Sequence, residues 1–205
     1  MAQASKGSLS VLSSPRVYDA IQSLLGAGKG RRAWASEFIR ARAGDNVLDV
    51  GCGTARILDF LPSSVSYWGF DVSERYITAA DARYGRRARF ICGEFTAAEL
   101  PRLPPFDIVL AAGLLHHLDD QSAAAFMHLA RAALRPGGRL VTIDPCYARG
   151  QALLARALID RDRGSNVRLG QEYLALARCA FSKATGTLRH RRWLPYTHWI
   201  MECQS

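Results

Sequence analysis

Short apolar runs recur along this chain, and stretches with helical spacing separate them. The runs fall at residues 47–50, 66–70, 88–92, 106–111 and 139–143. Each is rich in β-branched or aromatic residues and bounded by turn formers, which reads as a strand buried on both faces. Helical spacing marks residues 73–84, opened by Ser73 as N-cap, and residues 121–134, closed by Arg135-Pro136-Gly137-Gly138. Residues 151–161 and 171–181 also look helical, and residues 188–193 and 198–203 read as two final strands. Ahead of the first strand, Ser14-Pro15 starts a helix with Val17, Ile21, Leu24 and Leu25 on one face. The glycines between positions 26 and 30 should break it, and Ala33, Trp34, Phe38 and Ile39 mark a second helix. Residues 1–13 are Ser-rich and expected to be loose. Such alternation predicts a three-layer α/β domain with a mostly parallel, doubly wound, Rossmann-like sheet.

The junction after the first run organises the rest. Val47-Leu48-Asp49-Val50 leads directly into Gly51-Cys52-Gly53-Thr54. Two glycines one residue apart allow a tight turn and let a ligand approach the main chain. Thr54 is a suitable N-cap for a helix over residues 55–61. A nucleotide-binding unit of this kind needs an acid about 20 residues on, at the tip of the next strand, to accept from ribose hydroxyls. Asp71 closes the second run. Where a dinucleotide site needs a third small residue, Arg56 stands, and no Gly-Lys-Ser/Thr of a phosphate loop follows. Crevices in such sheets open at the carboxyl ends of the strands, where Gly51, Asp71, Gly93, Ala112 and Asp144 should converge.

The run Leu48-Asp49-Val50-Gly51-Cys52-Gly53-Thr54 resembles motif I of the class I S-adenosylmethionine-dependent methyltransferases, with Ala55 where the family usually has Gly. The resemblance continues through Asp71, Gly93-Glu94, residues 106–118 and residues 134–143, and so covers roughly residues 44–145. It implies S-adenosylmethionine as cofactor, bound by Asp49, Val50, Gly51, Cys52, Gly53, Thr54, Asp71, Val72, Gly93, Glu94, Phe95 and Ala112. Asp71 would take the ribose diol; Val72, Glu94 and Phe95 would border the adenine. Backbone around Gly51 and Ala112 would hold the amine, and amides near Thr54 would favour the carboxylate. The resemblance also implies a C-terminal antiparallel hairpin at one sheet edge. It implies one domain over residues 1–205, with residues 1–43 as a helical lid on a core of residues 44–205.

Leu115-His116-His117-Leu118 follows the fourth strand. Histidine suits proton removal near neutral pH. By resemblance to phosphobase N-methyltransferases, His117 is the expected base and Tyr18, from the lid, its partner; a packing or capping histidine is the alternative. Metal binding is not expected. Asp49, an acid inside an apolar strand, needs partners there, because burying it alone is costly.

Composition adds two constraints. The formal net charge is +9, and residues 149–192 carry ten Lys and Arg against Asp160, Asp162 and Glu172. That excess is either a solvated face or a field drawing an anionic acceptor or RNA. Five cysteines without a Cys-x-x-Cys pair, no apolar run of membrane-span length and no signal-peptide pattern predict a reduced, cytoplasmic protein. The leading expectation is methyl transfer to a small-molecule acceptor. RNA methylation and cofactor binding without catalysis are the competing readings; nothing in the sequence specifies an oligomeric state.

Overall fold

Seven strands form one mixed sheet in this computed structural model, which describes residues 27–160, 164–191 and 196–205. They are β1 (Asn46–Val50), β2 (Ser66–Asp71), β3 (Ala88–Cys92), β4 (Phe106–Ala112), β5 (Leu134–Tyr147), β7 (Lys183–Arg191) and β8 (Tyr196–Gln204), in the order β3-β2-β1-β4-β5-β8-β7. A two-residue strand, β6 (Arg168–Leu169), adds to β5 away from this path. Strands β1 to β5 run parallel; β8 lies antiparallel to both β5 and β7. The strand order reverses between β1 and β4, so the chain crosses to both sides of β1 and leaves a crevice above their carboxyl ends.

Period-two alternation sends successive side chains to opposite faces, and both faces are covered. Leu48, Val50 and Val109 pack on one side with Met127 of α3 (Asp120–Ala133) and Tyr173 of α5 (Gly170–Arg178). Val47, Ile108 and Leu110 pack on the other with Trp34 of α1 (Ala27–Trp34) and Tyr84 of α2 (Glu74–Tyr84). The remaining helix, α4, spans Leu153–Asp160. No helix among the described residues is long and apolar enough to cross a membrane.

Four expectations change. Gly28 and Gly30 lie inside α1 instead of breaking it. Each glycine costs about 1 kcal/mol of helix propensity, and burial of Trp34, Phe38 and Ile39 against Leu58 offsets it. The segment following Thr54 is a single 3₁₀ stretch, Arg56–Phe60, and Thr54 is not its cap. Ala55 takes a left-handed conformation there (φ 52°), a single-residue cost of about 1–2 kcal/mol for an L-residue. That is the glycine-like conformation of the position where Ala55 replaces Gly. Thirdly, Pro136-Gly137-Gly138 lies within β5 and does not separate it from α3. A Cβ on Gly138 would stand 2.9 Å from the Phe106 carbonyl, so glycine permits the irregular close pairing with β4. Finally, β7 begins five residues earlier than its apolar pattern suggests, at Lys183, because pairing with β8 carries a polar stretch into the sheet. Tyr18 and the first predicted helix lie outside the described residues.

Candidate active site

The sharp turn after β1 combines three left-handed residues. Gly51 (φ 76°) and Gly53 (φ 55°) precede Ala55. Gly51 N and Cys52 N both donate to the Phe70 carbonyl, at 2.8 and 3.0 Å, which folds the turn onto the end of β2. Asp71 then closes the unit: Oδ2 accepts from Gly53 N at 2.9 Å and Oδ1 from Ser73 N at 2.8 Å. Each carboxylate oxygen has capacity to accept again. The acid is therefore already aimed and its orientation fixed by two loops.

Val72, next to it, is 69 % exposed, an apolar side chain open at the tip of β2. Glu94 is exposed, whereas Phe95 is buried, its ring 5.2 Å from that of Phe70. Of the trio expected at an adenine, Val72 and Glu94 are open at the edge and Phe95 is packed behind it. Gly93 keeps a left-handed backbone (φ 153°), and its amide donates to the Asp71 carbonyl at 2.9 Å. Ala112 ends β4 and is exposed; the next amide, Gly113 N, donates to the Ile143 carbonyl.

Beneath the turn, Asp49 is buried and accepts from the Tyr67 hydroxyl at 2.5 Å, while its Oδ1 has no hydrogen-bond partner among the described residues. Burial, and secondarily the nearby Asp71 charge, push the Asp49 carboxyl up to about 7, against the lowering effect of the tyrosine. An orphaned acceptor below a glycine turn fits a ligand ammonium, reached directly or through water. Val50 and Thr54 are both buried. Cys52 packs against Gly69, and burial, with the Asp49 and Asp71 charges, drives its thiol far above the ordinary cysteine range. Its role is packing, not nucleophilic chemistry.

The two histidines separate. Residues Leu115–His117 form a 3₁₀ turn. His117 is exposed; His116 is 5 % exposed, and the two rings lie 4.1 Å apart. His116 Nδ1 lies 2.9 Å from Asp144 Oδ1, and His116 N donates to the same oxygen at 3.2 Å. With Nδ1–H donated to the carboxylate, the lone pair sits on Nε2. Asp144 stands one residue beyond Ile143, the partner of Ala112, level with the end of β4. Its position at a strand tip is visible in the sequence; its pairing with a residue 28 positions away is not. Asp119 caps α3 by accepting from Ser122 N, and Asp120 takes the Arg168 guanidinium, so both have structural partners. Arg168 and Tyr67 are the residues that sequence reasoning passed over. Arg168 belongs to the basic stretch, yet it is buried and paired internally.

Residues 47–138 match the family model described as a methyltransferase domain. The chain is 34 % identical over 114 residues to O-methyltransferase resE of Aspergillus sclerotiorum, an alignment covering 53 % of this chain and 42 % of that protein. It is 36 % identical over 112 residues to 27-O-demethylrifamycin SV methyltransferase of Amycolatopsis mediterranei, covering 50 % and 39 %. The chain thus spans less than half the length of these curated relatives. Among solved structures, the pyocyanin biosynthetic protein PhzM has the same fold, with a TM-score of 0.70 at 17 % identity over 93 % of this chain and 58 % of that one.

Proposed function

We infer that this chain, whose residues 47–138 match a methyltransferase domain, is a class I S-adenosylmethionine-dependent methyltransferase that transfers a methyl group from S-adenosylmethionine to a small-molecule acceptor. The observation that carries the reading is the link from Gly53 N to Asp71, which joins the glycine turn of β1 to the acid at the tip of β2. Asp71 accepts from the ribose hydroxyls, with Val72 and Glu94 bordering the adenine and Gly93 and Phe95 supporting that edge. Backbone at Gly51, Cys52, Gly53 and Ala112, with Asp49 beneath, receives the amino-acid end, and Val50 and Thr54 shape the turn.

When bound, the cofactor supplies an electrophilic methyl group on a sulfonium that departs as a neutral thioether. The chain's contribution is alignment, worth up to ~7–11 kcal/mol in favourable cases, and removal of the acceptor's proton. We assign that proton transfer to His116, because base and orienting carboxylate are already in contact in His116–Asp144. His117, favoured by resemblance and by its exposure, is the second reading, with Tyr18 as its partner. Hydroxyl oxygen is the acceptor atom we propose, since the matched relatives are named for O-methylation. Residues 1–43 serve as the lid in this reading; of these, the described residues 27–43 carry Trp34, Phe38 and Ile39 packed against Leu58. All five cysteines are free, in keeping with a reducing, cytoplasmic setting.

RNA is the weaker acceptor. Part of the basic stretch is paired within the chain: the buried Arg168 with Asp120, and Arg189 with Glu37 at the surface. Calorimetry with S-adenosylhomocysteine tests the core claim. Saturable one-site binding that Asp71→Ala weakens is expected; absence of binding to the full chain overturns it. Titration with single-stranded RNA, read for a salt-dependent affinity, tests the alternative.

A further inference from the structure

One guanidinium holds both ends of the histidine turn. Arg168 is 7 % exposed. Its Nη1 donates to the Leu115 carbonyl at 2.9 Å and to the Asn166 carbonyl at 3.0 Å. Its Nη2 donates to the Leu118 carbonyl at 2.8 Å and to Asp120 Oδ1 at 2.7 Å, and Nε reaches the same carboxylate oxygen at 3.0 Å. Leu115 and Leu118 are the residues that bracket His116 and His117. One of the two carbonyls between them is also taken, because Asn166 N donates to His116 O at 3.0 Å. Gly164 lies against the imidazole edge: a Cβ there would stand 1.9 Å from His116 Cδ2. Residues 164–168 therefore grip three carbonyls of the turn and cover one edge of the His116 ring, while Asp144 holds its Nδ1 from β5.

Such a clamp exceeds what anchoring β6 requires. Pairing of β6 with Cys146 and Tyr147 already ties this segment to the sheet. Burying a guanidinium is expensive unless every donor finds a partner in good geometry, and here the planar fork spans two backbone carbonyls three residues apart. A lysine at this position keeps the charge but cannot span both.

We propose that Arg168 is a positioning residue for the proton-transfer turn: it fixes the Leu115–Leu118 backbone so that His116 stays in register with Asp144. This rests on the reading of that turn as part of the acceptor site. It also makes the 164–168 segment, which follows α4, the element whose placement sets the histidine. The ionisable groups around His116 include Asp144 of β5 on its Nδ1 and His117, whose ring is tilted 38° to it; Tyr173 of α5 lies near Asp144, and Arg168 with Asp120 holds the turn.

The test uses the full chain bearing Arg168→Lys, with hydrogen exchange of the His116 ring Nδ1–H followed by NMR. His116→Gln supplies the assignment, and the Val109 amide in the buried strand β4 serves as the internal reference. If Arg168 positions the turn, Nδ1–H exchange accelerates about ten-fold or more while the Val109 amide is unchanged, because the opening is local. S-adenosylhomocysteine affinity stays within about two-fold. If Arg168 only adds stability, both protons accelerate together, and the proposal falls. Unchanged exchange at both sites also overturns it. Should Arg168→Lys not fold, Asp120→Asn is the second variant. It alters a mostly exposed carboxylate that accepts two of the bonds, and a smaller selective acceleration at His116 is expected; none overturns the proposal. Failure of wild-type protein to bind S-adenosylhomocysteine would instead strike the methyltransferase reading, leaving the clamp result intact.

Discussion

The Tyr67 hydroxyl stands 2.5 Å from the Asp49 carboxylate directly beneath the glycine turn, and it is the acid's one hydrogen-bond donor among the described residues. Asp49 and Gly69 pair across β1 and β2, so Tyr67 reaches the acid from two positions back along the neighbouring strand. A buried acid with one oxygen unpaired is held near neutrality, and its carboxyl is pushed up to about 7.

This raised value has a signed consequence for stability. The folded chain holds the Asp49 proton more tightly than the unfolded chain, whose carboxyl titrates near ~3.9. Stability therefore falls as pH rises from about 4 to about 7, by on the order of 4 kcal/mol at most. Asp49→Asn should flatten that part of the curve, measured as denaturant midpoints of the ligand-free protein from pH 4 to 8. An ammonium supplied by the cofactor favours the charged acid. Wild-type affinity for S-adenosylhomocysteine should then rise between pH 5.5 and 7.5 (chosen to straddle ~7), and Asp49→Asn should lose that rise. A wild-type affinity flat across this window would remove Asp49 from the amine site.

Asp71 offers a sharper loss. Its carboxylate carries two backbone amides already, so Asp71→Ala removes both the ribose acceptor and the tie from β2 to the turn. Charge-assisted bonds of this kind are worth roughly 1.5–3 kcal/mol, which sets an expected weakening of S-adenosylhomocysteine binding of about ten-fold or more. Asp71→Asn retains an acceptor for one amide and should fall between the two. Calorimetry that finds Asp71→Ala equal to wild type would contradict the ribose assignment.

Gly69 leaves the space that the Cys52 side chain of the glycine turn fills. A Cβ at Gly69 would meet Cys52 Sγ at 2.8 Å and Phe90 Cδ1 at 3.0 Å. Gly69→Ala should therefore destabilise by about 1–3 kcal/mol, the usual range for overpacking. Adding Cys52→Ala should recover part of the loss, because the sulfur contact disappears while the Phe90 contact remains. Thermal unfolding of the two single variants and the double variant checks this; strictly additive losses would mean that the two sites do not touch.

Local signals were legible and long-range ones were not. Five parallel strands, the glycine turn and Asp71 could be read from short apolar runs and turn residues, since each is set by a few neighbouring positions. The same local logic misjudged Gly28 and Gly30, where packing of Trp34 overrides glycine propensity. It also missed the 3₁₀ form of residues 56–60, set by the left-handed Ala55. The site beyond the glycine turn depends on pairs far apart in sequence: His116 with Asp144, Tyr67 with Asp49, and Arg168 with Leu115, Leu118 and Asp120. No periodicity encodes those. Arg168 carried one faint signal, a lone cation between Val167 and Leu169, but it stood among nine other basic residues in the same stretch.

Proton transfer is decided by the two histidines, and their different settings separate them. His116 has its Nδ1 on Asp144 and is covered by residue 164, whereas His117 is exposed one position further along the turn. If His116 is the base, His116→Gln should lower turnover of a phenolic acceptor by ~10²–10⁴ with little change in S-adenosylhomocysteine affinity. Asp144→Asn should give a smaller loss that is not additive with the first, because the two groups act as one unit. The His116→Gln loss should shrink as pH rises and the phenol ionises without help. His117→Gln, and Tyr18→Phe with it, should cost far less. The measurement is transfer of labelled methyl to a panel of phenols between pH 6 and 10, a window that spans unperturbed histidine and phenol titration (~6.5 and ~10). Should His117→Gln and Tyr18→Phe be the crippled, non-additive pair while His116→Gln turns over normally, the base is His117, and His116–Asp144 is a buried brace for the turn.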